Sequence, residues 1–383
     1  LVQKNAVFTD YLQNGISARY TENGEERSAL IYLIDWDNIE NNAFICANQW
    51  TFIENSNRRP DILLFINGLP LVLIELKSPS RENTDASEGY TQIRNYMHEI
   101  PSMFYYNQIC VMSDQLTSKA GTITSDETRF MEWKTVDGSY ENTQIAQFDT
   151  FFEGMFQKKR LLDILKNFIL FSNDGTKQIK ILAGYHQYFA VNKAIQSTKK
   201  ATETDGKGGV FWHTQGSGKS YSMVMLARKI KHKCTGNFTF LIVTDREDLD
   251  TQIYKNFLRT EFITDKDKVQ PANSKQLREE LKTNKSILFT LIHKFRYDKG
   301  KKYPVLSERD DIIVIVDEAH RTQYKDLAEN MRTGLPNAQF LAFTGTPLLG
   351  AKRLTNAWFG DYVSEYNFAE SIKDNATVPL YYV

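Results

Sequence analysis

Three groups of residues have the types and spacing to do chemistry. The first is Phe211-Trp212-His213-Thr214-Gln215-Gly216-Ser217-Gly218-Lys219-Ser220. Gly216 and Gly218 can take backbone angles that other residues resist, so successive N–H groups can turn toward an anion. A helix that starts there adds its positive end. Gly216, Ser217, Gly218, Lys219 and Ser220 would then cradle the phosphates of ATP, with Lys219 as a point charge on the β- and γ-phosphates and the Ser220 hydroxyl on Mg²⁺. The strict pattern G-x-x-x-x-G-K-[ST] wants glycine where this chain has His213, and a glycine turn before a surface lysine is the plainer reading of this stretch alone.

The second group is Asp61, Glu75 and Lys77. Asn67-Gly68 between two apolar runs is a strong hairpin signal. Glu75 and Lys77 are two apart in a strand and leave the same face, while Ile74 and Leu76 point to the other, into a core. Asp61 starts the paired strand at the open end, where it can meet them. Two carboxylates and a lysine suit Mg²⁺ and the hydrolysis of a phosphodiester. Charged strand ends are the plainer alternative. The third group, Asp317-Glu318, follows a β-branched run. There Asp317 can hold Mg²⁺ through water, and Glu318 can orient the water that attacks a γ-phosphate. Alone, such a pair is as readily a helix N-cap.

The elements that must position these groups follow from periodicity. Gly209 to Trp212 reads as a buried strand feeding the glycine turn, and Lys219 to about Lys231 as the helix after it. Further strands are expected at 238–243, 286–290, 311–316 and 339–343, each delivering polar residues at its C-terminal end: Thr244-Asp245-Arg246, His293-Lys294, Asp317-Glu318 and Thr344-Gly345-Thr346. That is the parallel-sheet pattern. In the first half, Gln92 and Tyr96 fall one turn apart on a helix. Strands are expected at 108–113 and 130–136, with a Ser/Thr/Gly-rich loop over 117–128 between them. Leu161, Leu162, Ile164, Leu165, Phe168 and Ile169 recur at helical spacing, and Asn173-Asp174-Gly175 ends that pattern.

Pro60-Asp61, Glu75-x-Lys77 and Gln92-x-x-x-Tyr96 together resemble the PD-(D/E)xK nuclease core in its RecB-like variety. The resemblance implies metal binding by Asp61 and Glu75, a water-activating Lys77, and support from Gln92 and Tyr96. The acidic residue that the family carries on an earlier helix has no position assigned here. The second half resembles the first RecA-like domain of superfamily 2 helicases and translocases: motif I at Gly216–Ser220, motif II at Asp317–His320 in its DEAH spelling, and motif III at Thr344–Thr346. Thr244 and Arg246 match motif Ia, which implies DNA phosphate contacts, and Gln187 in Tyr185-His186-Gln187 matches the adenine-reading glutamine.

A nuclease core N-terminal to a DEAH motor resembles the restriction (R) subunit of bacterial type I restriction-modification enzymes. The fold class expected is therefore α/β. An N-terminal α+β restriction-endonuclease-like domain spans 1–155, a connecting helix and linker 156–175, and a parallel-sheet RecA-like P-loop ATPase domain 176–383. Ser371-Ile372-Lys373-Asp374 resembles the connection to a second RecA-like domain, expected outside the chain, so ATP turnover by these residues alone is expected to be slow. The implied cofactors are ATP and Mg²⁺, and the implied partners are double-stranded DNA and the methylation and specificity subunits. A DNA-repair helicase–nuclease or a type III restriction subunit is the rival enzyme, though both usually place the nuclease after the motor. A non-catalytic DNA- or nucleotide-binding module is the rival of another class.

Composition is compatible with this and excludes other classes. With 383 residues, 41% hydrophobic and 25% charged, the chain can build two or three ordinary cores. Its 47 Lys and Arg balance its 47 Asp and Glu, so any nucleic-acid contact must come from local patches. Three scattered cysteines, Cys46, Cys110 and Cys234, argue for a reducing, cytoplasmic setting and against a disulfide framework or zinc site. No run reaches transmembrane length. The first residue is Leu1, which points to a segment missing before it.

Overall fold

The computed structural model describes residues 1–78, 86–114, 116–139, 147–264, 266–297, 301–318, 325–345, 354–374 and 377. These form two compact units, Leu1–Tyr188 and Phe189–Val383. Among the described residues no helix is long and apolar enough to cross a membrane.

The first unit is built on a five-stranded sheet in the order Phe44–Asn48, Ile62–Ile66, Leu69–Leu76, Ile109–Ser113, Ser118–Gly121. Its centre is the expected hairpin. Asn67 and Gly68 both have positive φ, 50° and 80°, as a type I′ turn requires, and its twist matches the flanking strands. The Asn67 side chain also ties the turn down, accepting from Ala43 N and donating to Leu33 O. Leu69–Leu76 then pairs parallel with Ile109–Ser113, a geometry that needs a crossover. The helix Ala86–Glu99 provides it, covering the sheet with Ile93, Tyr96 and Met97.

Several details differ from the sequence reading. Leu76 ends its strand and is 37% exposed, so only Ile74 of the expected pair enters the core. The expected 130–136 strand reduces to a bridge between Met131 and Ala120, because Phe130 and Trp133 are held by side-chain packing instead. The expected loop over 117–128 contains the edge strand Ser118–Gly121. The stretch expected as a connector, 156–175, packs within the first unit. Its helix Lys158–Asn167 buries Leu161, Leu162, Ile164 and Leu165, and Gln13 of the first helix donates to Leu165 O and Ile169 O. The Asn173-Asp174-Gly175 break is the turn of a hairpin, Ile169–Asn173 with Gln178–Leu182. Within that hairpin Lys180 Nζ is buried against Asn5 Oδ1, Asn107 O and Gln108 Oε1.

The second unit holds a six-stranded sheet, every neighbouring pair parallel, in the order Ile287–Leu291, Thr239–Thr244, Ile312–Asp317, Gln339–Thr344, Lys207–His213, Tyr362–Tyr366. Strands buried on both faces read as unbroken apolar runs rather than alternating ones. Ile312–Asp317 and Thr239–Thr244 are buried at every position. The edge strand Tyr362–Tyr366 was not expected. Its sequence, Tyr-Val-Ser-Glu-Tyr, has no such run, and only Tyr366 is fully buried.

Candidate active sites

In the first unit the register carries the site. Ile62 lies opposite Ile74, so Asp61, one residue earlier, comes opposite Glu75, where cross-strand side chains share a face. Asp61 Oδ2 accepts from Leu76 N at 2.8 Å. Lys77 continues the ladder through its N–H to Ser113 O, and its Nζ donates to Glu75 Oε1 at 2.9 Å. Glu75 is 3% exposed; its second oxygen, Oε2, makes no well-formed hydrogen bond among the described residues, and the Tyr96 phenol interacts with the carboxylate more loosely. Burial raises the Glu75 carboxyl above the usual range; Lys77 opposes the rise and Asp61 adds to it. Tyr96 sits over this pair from the helix. Its phenol is pushed up to about 12, by burial first and then by the Glu75 charge, so it stays a neutral donor. Gln92, one turn earlier, interacts with that phenol. The structure thus brings Asp61, Glu75, Lys77, Gln92 and Tyr96 together.

Two supporting contacts gave no sequence signal. Arg58 forms a two-pronged ion pair with Glu99, clamping the chain just before Asp61 to the helix that carries Tyr96. Gln49 donates to Asp61 Oδ1 at 2.8 Å. Among the described residues no group of three or more His, Cys, Asp or Glu is arranged to hold a metal. A two-carboxylate site is nonetheless what Mg²⁺ accepts, since it keeps several of its own waters. The unpartnered Glu75 Oε2 is the donor atom such an ion would use.

In the second unit the glycine turn has the backbone it needs. Gly216 and Gly218 have φ of 89° and 81°, and Gly218 caps the helix Lys219–Lys233. Ser217 Oγ pins the turn by donating to Thr214 O at 2.7 Å. Ser220 lies in the first turn of the helix, partly exposed. Lys219 Nζ rests on His213 O at 3.1 Å and Thr214 O at 3.4 Å. Those weak carbonyl partners can be exchanged for phosphate oxygens. A Cβ added at Gly345 would come within 3.3 Å of Lys219 Nζ, so glycine at that point of motif III keeps space beside the lysine.

His213 occupies the position where the strict pattern has glycine, and the structure shows why it is tolerated. It is fully buried. Its Nε2 meets Ser364 Oγ at 2.9 Å, and its ring packs on Phe211 and Tyr366. Thr214 N donates to Tyr366 O. The unexpected edge strand therefore buttresses the glycine turn.

Asp317 ends its strand two places from Lys207–His213, with Gln339–Thr344 between. It is buried, and Oδ1 lacks a hydrogen-bond partner among the described residues. Its carboxyl is pushed up to about 7, by burial first and by Glu318, with Lys219 opposing. Burial lowers Lys219 in turn, while Glu318 and Asp317 hold it up. Glu318 has φ of 52°, a conformation that a side-chain-bearing residue holds only where its surroundings enforce it. The unpartnered Asp317 oxygen, the positive-φ glycines and the movable lysine fit a Mg²⁺–nucleotide. Thr344 is buried at the strand end, and Trp212 Nε1 donates to Gly345 O. Thr346 and His320 lie outside the described residues.

The raised Asp317 carboxyl makes a pH prediction. The folded chain holds a proton there that the unfolded chain, with a pKa near 3.8, has released, so this group's stabilising contribution is present below about pH 4 and is lost as pH rises through about 7. Asp317→Asn should therefore raise the melting temperature of the nucleotide-free chain more at about pH 8 than at about pH 5. An equal effect at both would show that the carboxyl is not perturbed.

Thr244 and Arg246, expected at DNA, face different ways. Thr244 is buried, with its hydroxyl toward Asp250 Oδ1 and Arg246 O. Arg246 has a half-exposed side chain at the N-cap of helix Glu247–Arg259, and so is the group able to reach a phosphate. Gln187 is counted with the first unit. It is buried, and its Oε1 accepts from Gly184 N at 3.1 Å.

Comparison with known proteins adds family information. The model described as SWI2/SNF2 ATPase matches residues 186–383, and the one described as type I restriction enzyme R protein N terminus matches residues 1–129. The type I restriction enzyme HindI endonuclease subunit of Haemophilus influenzae is 38% identical, over 100% of this chain and 38% of its own length. The putative type I restriction enzyme MjaIXP endonuclease subunit of Methanocaldococcus jannaschii is 36% identical, over 99% of this chain and 38% of its own. The chain thus spans 38% of the length of these relatives. The UvsW helicase of bacteriophage T4 superposes on 50% of this chain and 63% of its own, with a TM-score of 0.36 and 16% identity.

Proposed function

Because this chain belongs to the R proteins of type I restriction enzymes and carries a SWI2/SNF2 ATPase as its second half, we propose that it couples two activities: Mg²⁺-dependent endonucleolytic cleavage of double-stranded DNA in the first unit, and ATP-driven translocation of that DNA in the second. One recurring observation carries the reading. In each unit a buried carboxylate oxygen, Glu75 Oε2 or Asp317 Oδ1, lacks a hydrogen-bond partner among the described residues while a lysine lies beside the carboxylate.

Asp61 and Glu75 would hold the nuclease metal, which when bound supplies charge on the phosphodiester and an acidified water. Lys77, held on Glu75, would orient the attacking water and assist the loss of its proton, and Tyr96 with Gln92 would keep the Glu75 side fixed. In the second unit Gly216–Ser220 would wrap the phosphates, with Ser220 and Asp317 at the ion. Glu318 would orient the attacking water, and Gln187 would read adenine. Arg246, Thr244 and Thr344–Thr346 would link nucleotide state to DNA. The methylation and specificity subunits are the proposed partners, and free Cys46, Cys110 and Cys234 support a cytoplasmic setting.

In the assembled enzyme, plasmid bearing the recognition sequence should be linearised only when Mg²⁺ and ATP are both present. Full linearisation with Mg²⁺ alone would contradict the coupling.

A further inference from the structure

Gln49 makes two contacts with one residue. Its backbone N–H donates to Asp61 O at 3.0 Å, and its side-chain Nε2 donates to Asp61 Oδ1 at 2.8 Å. It sits at the corner after the strand Phe44–Asn48 with φ of 51°, a left-handed conformation for which glycine or asparagine is the ordinary choice. Turn geometry alone would be served better by glycine. What glycine cannot supply is the amide that reaches Asp61.

The corner is held from its other side as well. Trp50, half exposed, packs edge-on against Phe65 with ring centroids 5.4 Å apart, and Phe65 lies on the strand that Asp61 opens. The Asp61 carboxylate is thereby gripped at both ends, Oδ1 by Gln49 and Oδ2 by the N–H of Leu76, which lies between Glu75 and Lys77 in sequence. Each carboxylate oxygen has two acceptor sites, so these bonds leave one on each oxygen for a cation. Without the Gln49 amide, the partly exposed Asp61 carboxylate can turn away from Glu75.

We propose that Gln49 is a positioning residue of the nuclease site, whose amide fixes the Asp61 carboxylate plane so that Asp61 and Glu75 meet a single divalent cation. This rests on the reading of Asp61 and Glu75 as metal ligands. The partners that orient metal-ligating groups commonly matter for affinity by roughly tenfold or more.

The test is a calorimetric Mn²⁺ titration of the 383-residue chain without nucleotide, with melting temperatures recorded in parallel. Gln49→Gly should keep or raise the melting temperature, since glycine accepts the corner's φ, and should weaken Mn²⁺ binding by roughly tenfold. Asp61→Ala should remove the site. Unchanged Mn²⁺ affinity in Gln49→Gly, with binding lost in Asp61→Ala, would overturn the role of Gln49 alone, and a fall in melting temperature without loss of affinity would reduce it to a turn residue. No binding by the unaltered chain, or binding unchanged in Asp61→Ala, would overturn the metal reading and this proposal with it.

Discussion

Replacing Lys219 with alanine is expected to weaken ATP binding by this chain on the order of a hundredfold, as measured by titration with a fluorescent ATP analogue. Hydrogen bonds to charged groups contribute about 1.5–3 kcal/mol, and about 1.4 kcal/mol is tenfold in affinity. Lys219 now spends its ammonium on two carbonyls, His213 O and Thr214 O, so little is lost when it turns to phosphate. A second consequence separates this from general damage. Lys219 is the cation that opposes the upward push on Asp317. Its removal drives that carboxyl higher, so the variant should lose more stability at about pH 8 than at about pH 5. Binding within a few-fold of the unaltered chain would contradict the assignment of the phosphate turn.

Glu75→Ala and Lys77→Ala should each reduce metal-dependent DNA cleavage by on the order of a thousandfold or more, since each removes part of a metal-assisted step worth several kcal/mol. The size-conserving variants Glu75→Gln and Lys77→Met should change stability with opposite signs. Glu75 is a desolvated carboxylate with one oxygen unpaired, and Glu75→Gln relieves that, so the melting temperature should rise. Lys77→Met leaves the same carboxylate buried without the ion-pair partner it has among the described residues, so the melting temperature should fall. The fall is limited because Glu75 can take up a proton. Cleavage that survives both changes in folded protein would remove the nuclease assignment.

The parts legible in the sequence were those where chemistry forces local spacing. Asn67-Gly68 specifies its turn because both residues must take positive φ. Gly216 and Gly218 do the same for the phosphate turn, and the β-branched run before Asp317 can hardly be anything but a buried strand. The strands run one residue beyond their apolar runs: Thr244, Asp317 and Thr344 are the last residues of their strands rather than the first beyond them. What was not legible depends on distant partners. Gln49 follows an ordinary strand and acquires its meaning only from the register that brings it to Asp61. Arg58 and Glu99 are ordinary surface types until a helix end and a strand start are brought together. The Tyr362–Tyr366 strand carries no pattern of its own, because an edge position needs burial on one side only. It is nonetheless the element that accommodates His213 where glycine was expected.

The central claim is that one chain holds a cutting site and a separate ATP-driven motor, and the most direct measurement separates them in the full-length assembled enzyme. DNA movement would be followed by displacement of a third strand, and cutting by linearisation, for Glu75→Ala and Lys219→Ala side by side. Glu75→Ala should move DNA at the unaltered rate and fail to cut, whereas Lys219→Ala should do neither. Normal cutting by Lys219→Ala, or loss of movement in a properly assembled Glu75→Ala enzyme, would contradict the account.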